Sequence, residues 1–442
     1  MKVLLIQAPS VESATNERVY PIGLVSVATH LKRAGHDVSL FDMNLQSDQF
    51  GSLNAKLLSE RPDAIGLALR NIDPLANKTS SLIPPFVVTV RMIRALLPGV
   101  PIIAGGTGFT LFPERIMREL PEIGWGIKGE AELGLPALLA GSPPGEISGL
   151  CRRLNEDVIV NPAASLYSFD DYLVPDRDLL PPDIYKGINS YAPAFGIETK
   201  RGCPLQCAYC VYPQLQGKVM RCRKPAEVVD EIAMLNRKYG LTDFHFNDPV
   251  INMPVGHLEE ICEEILRRGL KVTWTGFFRE DVLTKEKVRL YEKSGCSCFL
   301  FSPDGFTQNS LDVLQKKLDV ADVVKAAELT SGTDVLSVYH FMTNVPGETC
   351  ESISQAKSMI DRLYKIHGPK RNLGAVVLNN IRIMPGTPIE AIARAEGEID
   401  DSTDLLYPVY YNPSKNQTMR YRLEIHNTTK NVFMWQQIGE RR

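Results

Sequence analysis

Arg201-Gly202-Cys203-Pro204-Leu205-Gln206-Cys207-Ala208-Tyr209-Cys210 is the stretch on which the reading of this 442-residue chain turns. Its cysteines are separated by three residues and then by two. Soft thiolates at this density suit an iron–sulfur cluster or zinc. Closed zinc sites take four protein ligands, and the next thiol along the chain, Cys222, reads as incidental. Three thiolates, Cys203, Cys207 and Cys210, would leave one iron of a four-iron cluster open to a further ligand.

Around this stretch, apolar segments of strand length alternate with helical patterns. Strands are expected at Ala194–Lys200, Asp243–Asn247, Val272–Phe278, Cys298–Pro303, Ser337–Thr343 and Ala375–Ile383. Helices are expected at Ala226–Tyr239, Val255–Arg268, Lys285–Lys293, Val320–Thr330 and Cys350–Leu363. Six strands with five intervening helices predict a partial (β/α)6 barrel, with its chemistry at the carboxyl ends of the strands. The cysteine loop follows the first of those strands.

A separate alternation fills the N-terminal third. Strands are expected at Lys2–Gln7, Asp37–Asp42, Ala64–Leu69, Pro101–Gly106 and Trp125–Gly129. The helices between and after them are expected at Ile22–Arg33, Gln49–Ser59, Phe86–Leu97, Pro113–Leu120 and Ala131–Leu139. This is the pattern of a doubly wound, Rossmann-like parallel sheet, whose ligands bind beyond the carboxyl ends of the strands. Pro9, Asp42, Asn44, Arg70, Asn71, Gly105, Gly106 and Thr107 occupy the loops at those ends. Glycines there would let backbone approach a large ligand closely. No GxGxxG follows the first strand, which disfavours a dinucleotide site. Residues 141–192, rich in Pro, Gly and Asp, read as an ordered connector in which Asp157–Val160 adds a strand. The expected division is 1–140, 141–192, 193–388, and a polar, aromatic tail from 389 to 442 that caps the barrel.

Hydrophobic content of 44% and charged content of 23% are those of a globular protein. A net charge of −3 gives no reason to expect nucleic acid as a partner. No stretch approaches the ~18 apolar residues of a membrane span, and the N-terminus reads as a strand rather than a signal peptide. Nine cysteines, an odd number with a clustered trio, point to metal ligation in a reducing cytoplasm rather than to disulfides. Cys296 and Cys298 read as buried structural thiols.

The CxxxCxxC run resembles the signature of the radical S-adenosylmethionine (SAM) enzymes. The segments PIGLVSVATHLKRAGHDVSLFDMN, GGTGFTLFPERIM and GIKGEAELGLPALL resemble the cobalamin-binding domain that precedes many radical-SAM cores. Asn344-Val345-Pro346-Gly347-Glu348-Thr349 and Met384-Pro385-Gly386-Thr387-Pro388 are similar to strand-end motifs of that family. The resemblance implies a [4Fe–4S] cluster on the three cysteines, with SAM on the open iron. It further implies SAM contacts from Tyr209, Asp248, Arg279, Ser302 and Asp304, with Lys316 and Lys317 at the place of a frequent lysine. Cobalamin would lie against the N-terminal strand-end loops. The DxHxxG signature is absent and His30 and His36 read as structural, so no cobalt-ligating histidine is expected.

The implied activity is methylation of an unactivated carbon in a small molecule, using a deoxyadenosyl radical and methylcobalamin, with an electron donor such as flavodoxin or ferredoxin. Rearrangement or cyclisation with the same cofactors is the alternative. A tRNA methylthiotransferase would want a second cysteine trio in the N-terminal domain and a basic RNA-binding module, and neither is visible. A non-catalytic cobalamin or iron–sulfur sensor would not need the series of barrel motifs.

Overall fold

In a computed structural model of the chain, which describes residues 1–10, 19–74, 79–163, 167–185, 193–413 and 417–428, the two alternations become two seven-stranded sheets. The chain divides after residue 186 into two compact units, residues 406–408 going with the first. Among the described residues no helix is long and apolar enough to cross a membrane.

The first unit holds β1 (Lys2–Gln7), α1 (Ile22–Arg33), β2 (Asp37–Asp42), α2 (Gln49–Glu60), β3 (Ala64–Ala68), α3 (Ile83–Leu96), β4 (Ile102–Gly105), α4 (Thr107–Leu111), α5 (Pro113–Glu119), β5 (Trp125–Ile127) and α6 (Gly134–Leu139). β1 is apolar from Val3 to Ile6 and β3 throughout, and both are buried almost end to end, as strands covered on both faces must be. The parallel strands run in the order β2-β1-β3-β4-β5. The chain therefore reverses direction across the sheet between β1 and β3, the topological switch point at which such sheets bind ligands.

The stretch expected as a connector belongs largely to this unit. β6 (Leu150–Leu154) and β7 (Asp157–Val160) form an antiparallel hairpin that extends the sheet beyond β5. Further on, the Tyr185 hydroxyl donates to Asp42 at 2.7 Å, and the Tyr20 hydroxyl donates to the Leu180 carbonyl at 2.9 Å. Proline and aspartate mark turns in this segment correctly; its aromatic residues, Tyr167, Phe169 and Tyr185, are what bury it.

The second unit contains β8 (Gly196–Ile197), β9 (Lys200–Arg201), α7 (Tyr212–Gln216), β10 (Arg221–Cys222), α8 (Pro225–Tyr239), β11 (Asp243–Phe246), α9 (His257–Arg267), β12 (Thr273–Phe278), α10 (Lys285–Lys293), β13 (Cys296–Asp304), α11 (Gln308–Val313), α12 (Val320–Thr330), β14 (Leu336–Thr343), α13 (Cys350–His367), β15 (Leu373–Arg382), α14 (Pro388–Ala395), β16 (Tyr410–Tyr411) and α15 (Gln417–Thr428). Six strands, β8, β11, β12, β13, β14 and β15, pair in parallel in chain order, giving the partial barrel. The helices close it by burying one stripe each. In α9 that stripe is Leu258, Ile261, Cys262 and Ile265, at the three-and-four spacing of one helical face.

Two expectations change here. The first barrel strand is shorter than expected, because the chain leaves the sheet after Ile197 and pairs Lys200–Arg201 with Arg221–Cys222 in a separate antiparallel ribbon. In the tail, β16 joins the sheet antiparallel to β15, with Tyr411 buried. Tyr421 is 66% exposed, and Phe433 and Trp435 lie outside the described residues.

Candidate functional site

Cys203 and Cys207 are buried and Cys210 is half-buried, all in the loop between β9 and α7. The loop is held from three sides. The Cys203 amide donates to the Gly217 carbonyl at 3.0 Å, the Ala208 amide to the Leu314 carbonyl at 2.9 Å, and the Ile389 amide to the Ala208 carbonyl at 3.0 Å. The Gln214 side-chain amide donates to the Pro385 and Gly386 carbonyls at 3.3 and 3.2 Å. Pro385-Gly386-Thr387-Pro388 thus braces the cysteine loop, a role its sequence does not show. Gly202 starts the loop at φ +87°, and a Cβ there would fall 2.1 Å from the Val219 carbonyl oxygen.

Burial holds the Cys203 thiol above its usual pKa. Burial, reinforced by Cys207 and Cys203, pushes Cys210 up to about 12. These thiols are protonated in the metal-free chain, so taking up iron expels protons. Among the described residues no three His, Cys, Asp or Glu side chains converge as ligands of one ion do. Three thiols spread around a loop instead suit the separate corners of a four-iron cube, and the donor set fits a [4Fe–4S] cluster.

Within the loop the half-buried Tyr209 meets the buried pair Asp304 and Lys316. The Tyr209 hydroxyl and the Lys316 ammonium both donate to Asp304 Oδ2, the latter at 2.7 Å. Lys316 Nζ also lies 3.3 Å from the Tyr209 oxygen. A register irregularity in β13 delivers Asp304 in the left-handed conformation, φ +65°. Burial pulls the Lys316 ammonium down, but Asp304, Cys207 and Glu280 outweigh it and keep it above its usual range. Ser302 stands half-buried two residues earlier on β13.

Two of the expected SAM contacts are engaged elsewhere. Asp248 accepts the Thr199 amide at 2.9 Å, the Lys200 amide at 3.2 Å, the Thr199 hydroxyl at 2.5 Å and the Lys200 ammonium at 2.9 Å. All its ordinary acceptor positions are used, and both it and Lys200 are fully buried. Arg279 donates to the Lys316 and Lys317 carbonyls at 3.0 and 2.6 Å and pairs with Asp281 at 2.7 Å. Asp248 therefore fixes the strand leading into the cysteine loop, and Arg279 fixes the turn that presents Lys316. Glu280, next to Arg279, is buried with Oε1 lacking a hydrogen bond, and burial pushes its pKa up to about 7.

In the first unit, the loop after β4 folds onto the end of β3. Gly108 donates to the Leu69 and Arg70 carbonyls, both at 2.9 Å, and Thr107 donates its hydroxyl to the Arg70 carbonyl. A Cβ on Gly106 would fall 2.5 Å from the Leu69 oxygen. Gly106 and Thr107 thus serve loop-to-loop packing, a role different from the ligand approach expected of them. Asp42 accepts Tyr185 and Asn44, while Asn44 in turn accepts the Ser10 amide at 2.8 Å. Burial raises the Asp42 pKa. These two brace the loops after β1 and β2, and Pro9 is buried in the first of those loops. Arg70, Asn71 and Gly105 are half-buried on the ligand edge of the sheet, beside the switch point.

His30 is a core residue. Nδ1 donates to the Ser26 carbonyl at 2.8 Å and Nε2 accepts the Tyr167 hydroxyl at 3.2 Å. His36 precedes β2 and so lies at the opposite end of that strand from the ligand edge. No other histidine occurs before residue 245. The strand-end site fits a corrin held by backbone, amide and guanidinium groups with no imidazole from this unit.

Residues 13–139 match the B12 binding domain family, and residues 197–360 match the Radical SAM superfamily. The chain belongs to the B12-binding radical SAM enzymes. Its cofactors are a [4Fe–4S] cluster, SAM and cobalamin. It is 27% identical over 363 residues to an uncharacterized methyltransferase of Pyrococcus horikoshii, covering 80% of this chain and 76% of that one. It is also 27% identical over 359 residues to an anaerobic magnesium-protoporphyrin IX monomethyl ester cyclase of Synechocystis, covering 78% and 69%. The same fold occurs in the radical SAM methyltransferase TsrM of Kitasatospora setae, at 21% identity, TM-score 0.76, and coverage of 91% of this chain and 79% of that one.

Proposed function

We propose that this radical SAM enzyme transfers a methyl group to an unactivated carbon of a small, uncharged substrate, with Cys203, Cys207 and Cys210 as the cluster ligands. When bound, the cluster supplies the electron that cleaves SAM and cobalamin supplies the methyl carrier. Tyr209, Asp304 and Ser302 hold SAM beside the cysteine loop, with Lys316 positioning the Asp304 carboxylate. Arg70, Asn71 and Gly105 hold the corrin.

The observation that carries the substrate class is the alternating face of the barrel sheet. His245, Phe277, Ser302, His340, Met342 and Asn379 are all half-buried. The His245 and His340 rings lie 6.2 and 5.8 Å from Phe277. Burial lowers the His340 pKa to about 4, so its ring is neutral. Phe277, Ser302, the neutral His340 ring, Met342 and Asn379 offer aromatic, hydroxyl and amide contacts and no formal charge, which suits a neutral, carbon-rich molecule and disfavours a phosphate or polyanion.

The likeness to the cyclase favours one second reading, ring closure with the same cofactors. Anaerobic reconstitution with iron, sulfide and hydroxocobalamin, followed by SAM and reductant, separates the two. Methyl transfer requires S-adenosylhomocysteine in at least stoichiometric amount with bound corrinoid, as well as 5′-deoxyadenosine. Deoxyadenosine without S-adenosylhomocysteine overturns methyl transfer and leaves the ring-closure reading.

A further inference from the structure

Val219 is 71% exposed, more than any other large apolar side chain among the described residues. It lies between α7 and β10, and its carbonyl occupies the space that a side chain on Gly202, one residue from Cys203, would need. Tyr212, at the start of α7, is 40% exposed. Between Val211 and Lys224 the sequence carries Lys218, Arg221, Arg223 and Lys224 and no acidic residue, in a chain of net charge −3. Arg223 is turned inward onto Glu231 at 2.7 Å. Lys218 is exposed, and the Lys224 side chain is 75% exposed and pairs with the solvent-facing Glu227 at 3.1 Å.

An apolar tip with a cationic rim is the complement of a partner with an apolar centre and an acidic rim. The position says what that partner would do. Electron tunnelling falls off steeply with distance, and here the Cys203 amide is bonded at 3.0 Å to the Gly217 carbonyl, two residues from the exposed Val219.

We propose that the Tyr212–Val219 surface, rimmed by Lys218 and Lys224, docks a small acidic one-electron carrier protein that reduces the cluster. The proposal rests on Cys203, Cys207 and Cys210 being the cluster ligands. One electron leaves the carrier's reduced flavin or iron–sulfur centre and enters the cluster, and no bond or proton is exchanged. Association is driven by the charge rim and by burial of Val219, so it weakens as salt screens the lysines.

The test uses reconstituted holoenzyme and fully reduced flavodoxin at low ionic strength, following cluster bleaching by stopped flow. Val219→Asp and the pair Lys218→Glu/Lys224→Glu should each slow reduction about tenfold, chiefly through the association rate. Cluster content and the rate of reduction by dithionite should match the unsubstituted protein. Unchanged reduction by flavodoxin in both variants overturns the proposal. So does self-association of the enzyme that Val219→Asp abolishes while flavodoxin reduction stays the same, because the patch is then a contact between copies. If the unsubstituted protein takes up no iron–sulfur cluster on reconstitution, the cluster assignment itself fails, and this proposal with it.

Discussion

Asp248 shows how one side chain can serve a cofactor without touching it. Its carboxylate neutralises a fully buried lysine and holds two amides just upstream of the cysteines. Asp248→Ala strands the Lys200 charge, at a cost of about 3–5 kcal/mol. Melting temperature and iron content should fall together, and Asp248→Asn should fall less. Normal iron content in the alanine variant would break the link between this pair and the loop. Glu280 gives a prediction about pH. Its folded pKa of about 7 lies above the usual carboxylate value of 4.5, so its contribution to stability is fully present below pH 4.5 and is lost as pH rises through 7. The full loss amounts to about 3 kcal/mol. Glu280→Gln should therefore be more stable than the unsubstituted protein at pH 8 and flatter between pH 5 and 8, as read by denaturant unfolding. Equal slopes would place the Glu280 carboxyl in a wetter setting.

The cysteine loop works as an element because backbone from three places grips it. Ala208 is bonded on one side by Leu314 and on the other by Ile389. Gly202 is the hinge on which this depends. Gly202→Ala forces a side chain into a left-handed position and against a carbonyl, costs that add. The expected outcome is loss of cluster uptake greater than in Gln214→Ala, which removes only exposed hydrogen bonds worth about 1 kcal/mol together. Iron and sulfide analysis after reconstitution would rank the two. The CxxxCxxC spacing marks the loop without ambiguity, and strand and helix periods place most of the elements around it to within two residues. The ribbon of β9 with β10, by contrast, has only two residues per strand. Such a short pairing leaves no periodic signal, and its partners are twenty residues apart.

At the scale of the molecule, two units carry separate cofactors, and each has its own sheet and core. Replacing Cys203, Cys207 and Cys210 together by Ala should abolish iron binding and deoxyadenosine formation while corrinoid uptake persists. Corrinoid loss in that triple variant would show that the first unit does not bind its cofactor independently. Apolar period and cysteine spacing are local, so the sequence alone specifies the two sheet types and the three thiols, whereas the order of the strands in the first sheet is set by tertiary pairing. Tertiary structure decided which polar residues face a ligand and which face one another. Asp248 and Arg279 read as cofactor contacts in one dimension; in three they are saturated by Thr199, Lys200, Asp281 and the backbone of Lys316 and Lys317. Lys316 shows the converse, since nothing near it in sequence foretells that it meets Asp304 and Tyr209. A carboxylate at a strand end has the same composition in either role, and only the positions of donors brought from elsewhere in the chain decide whether any lone pair is left.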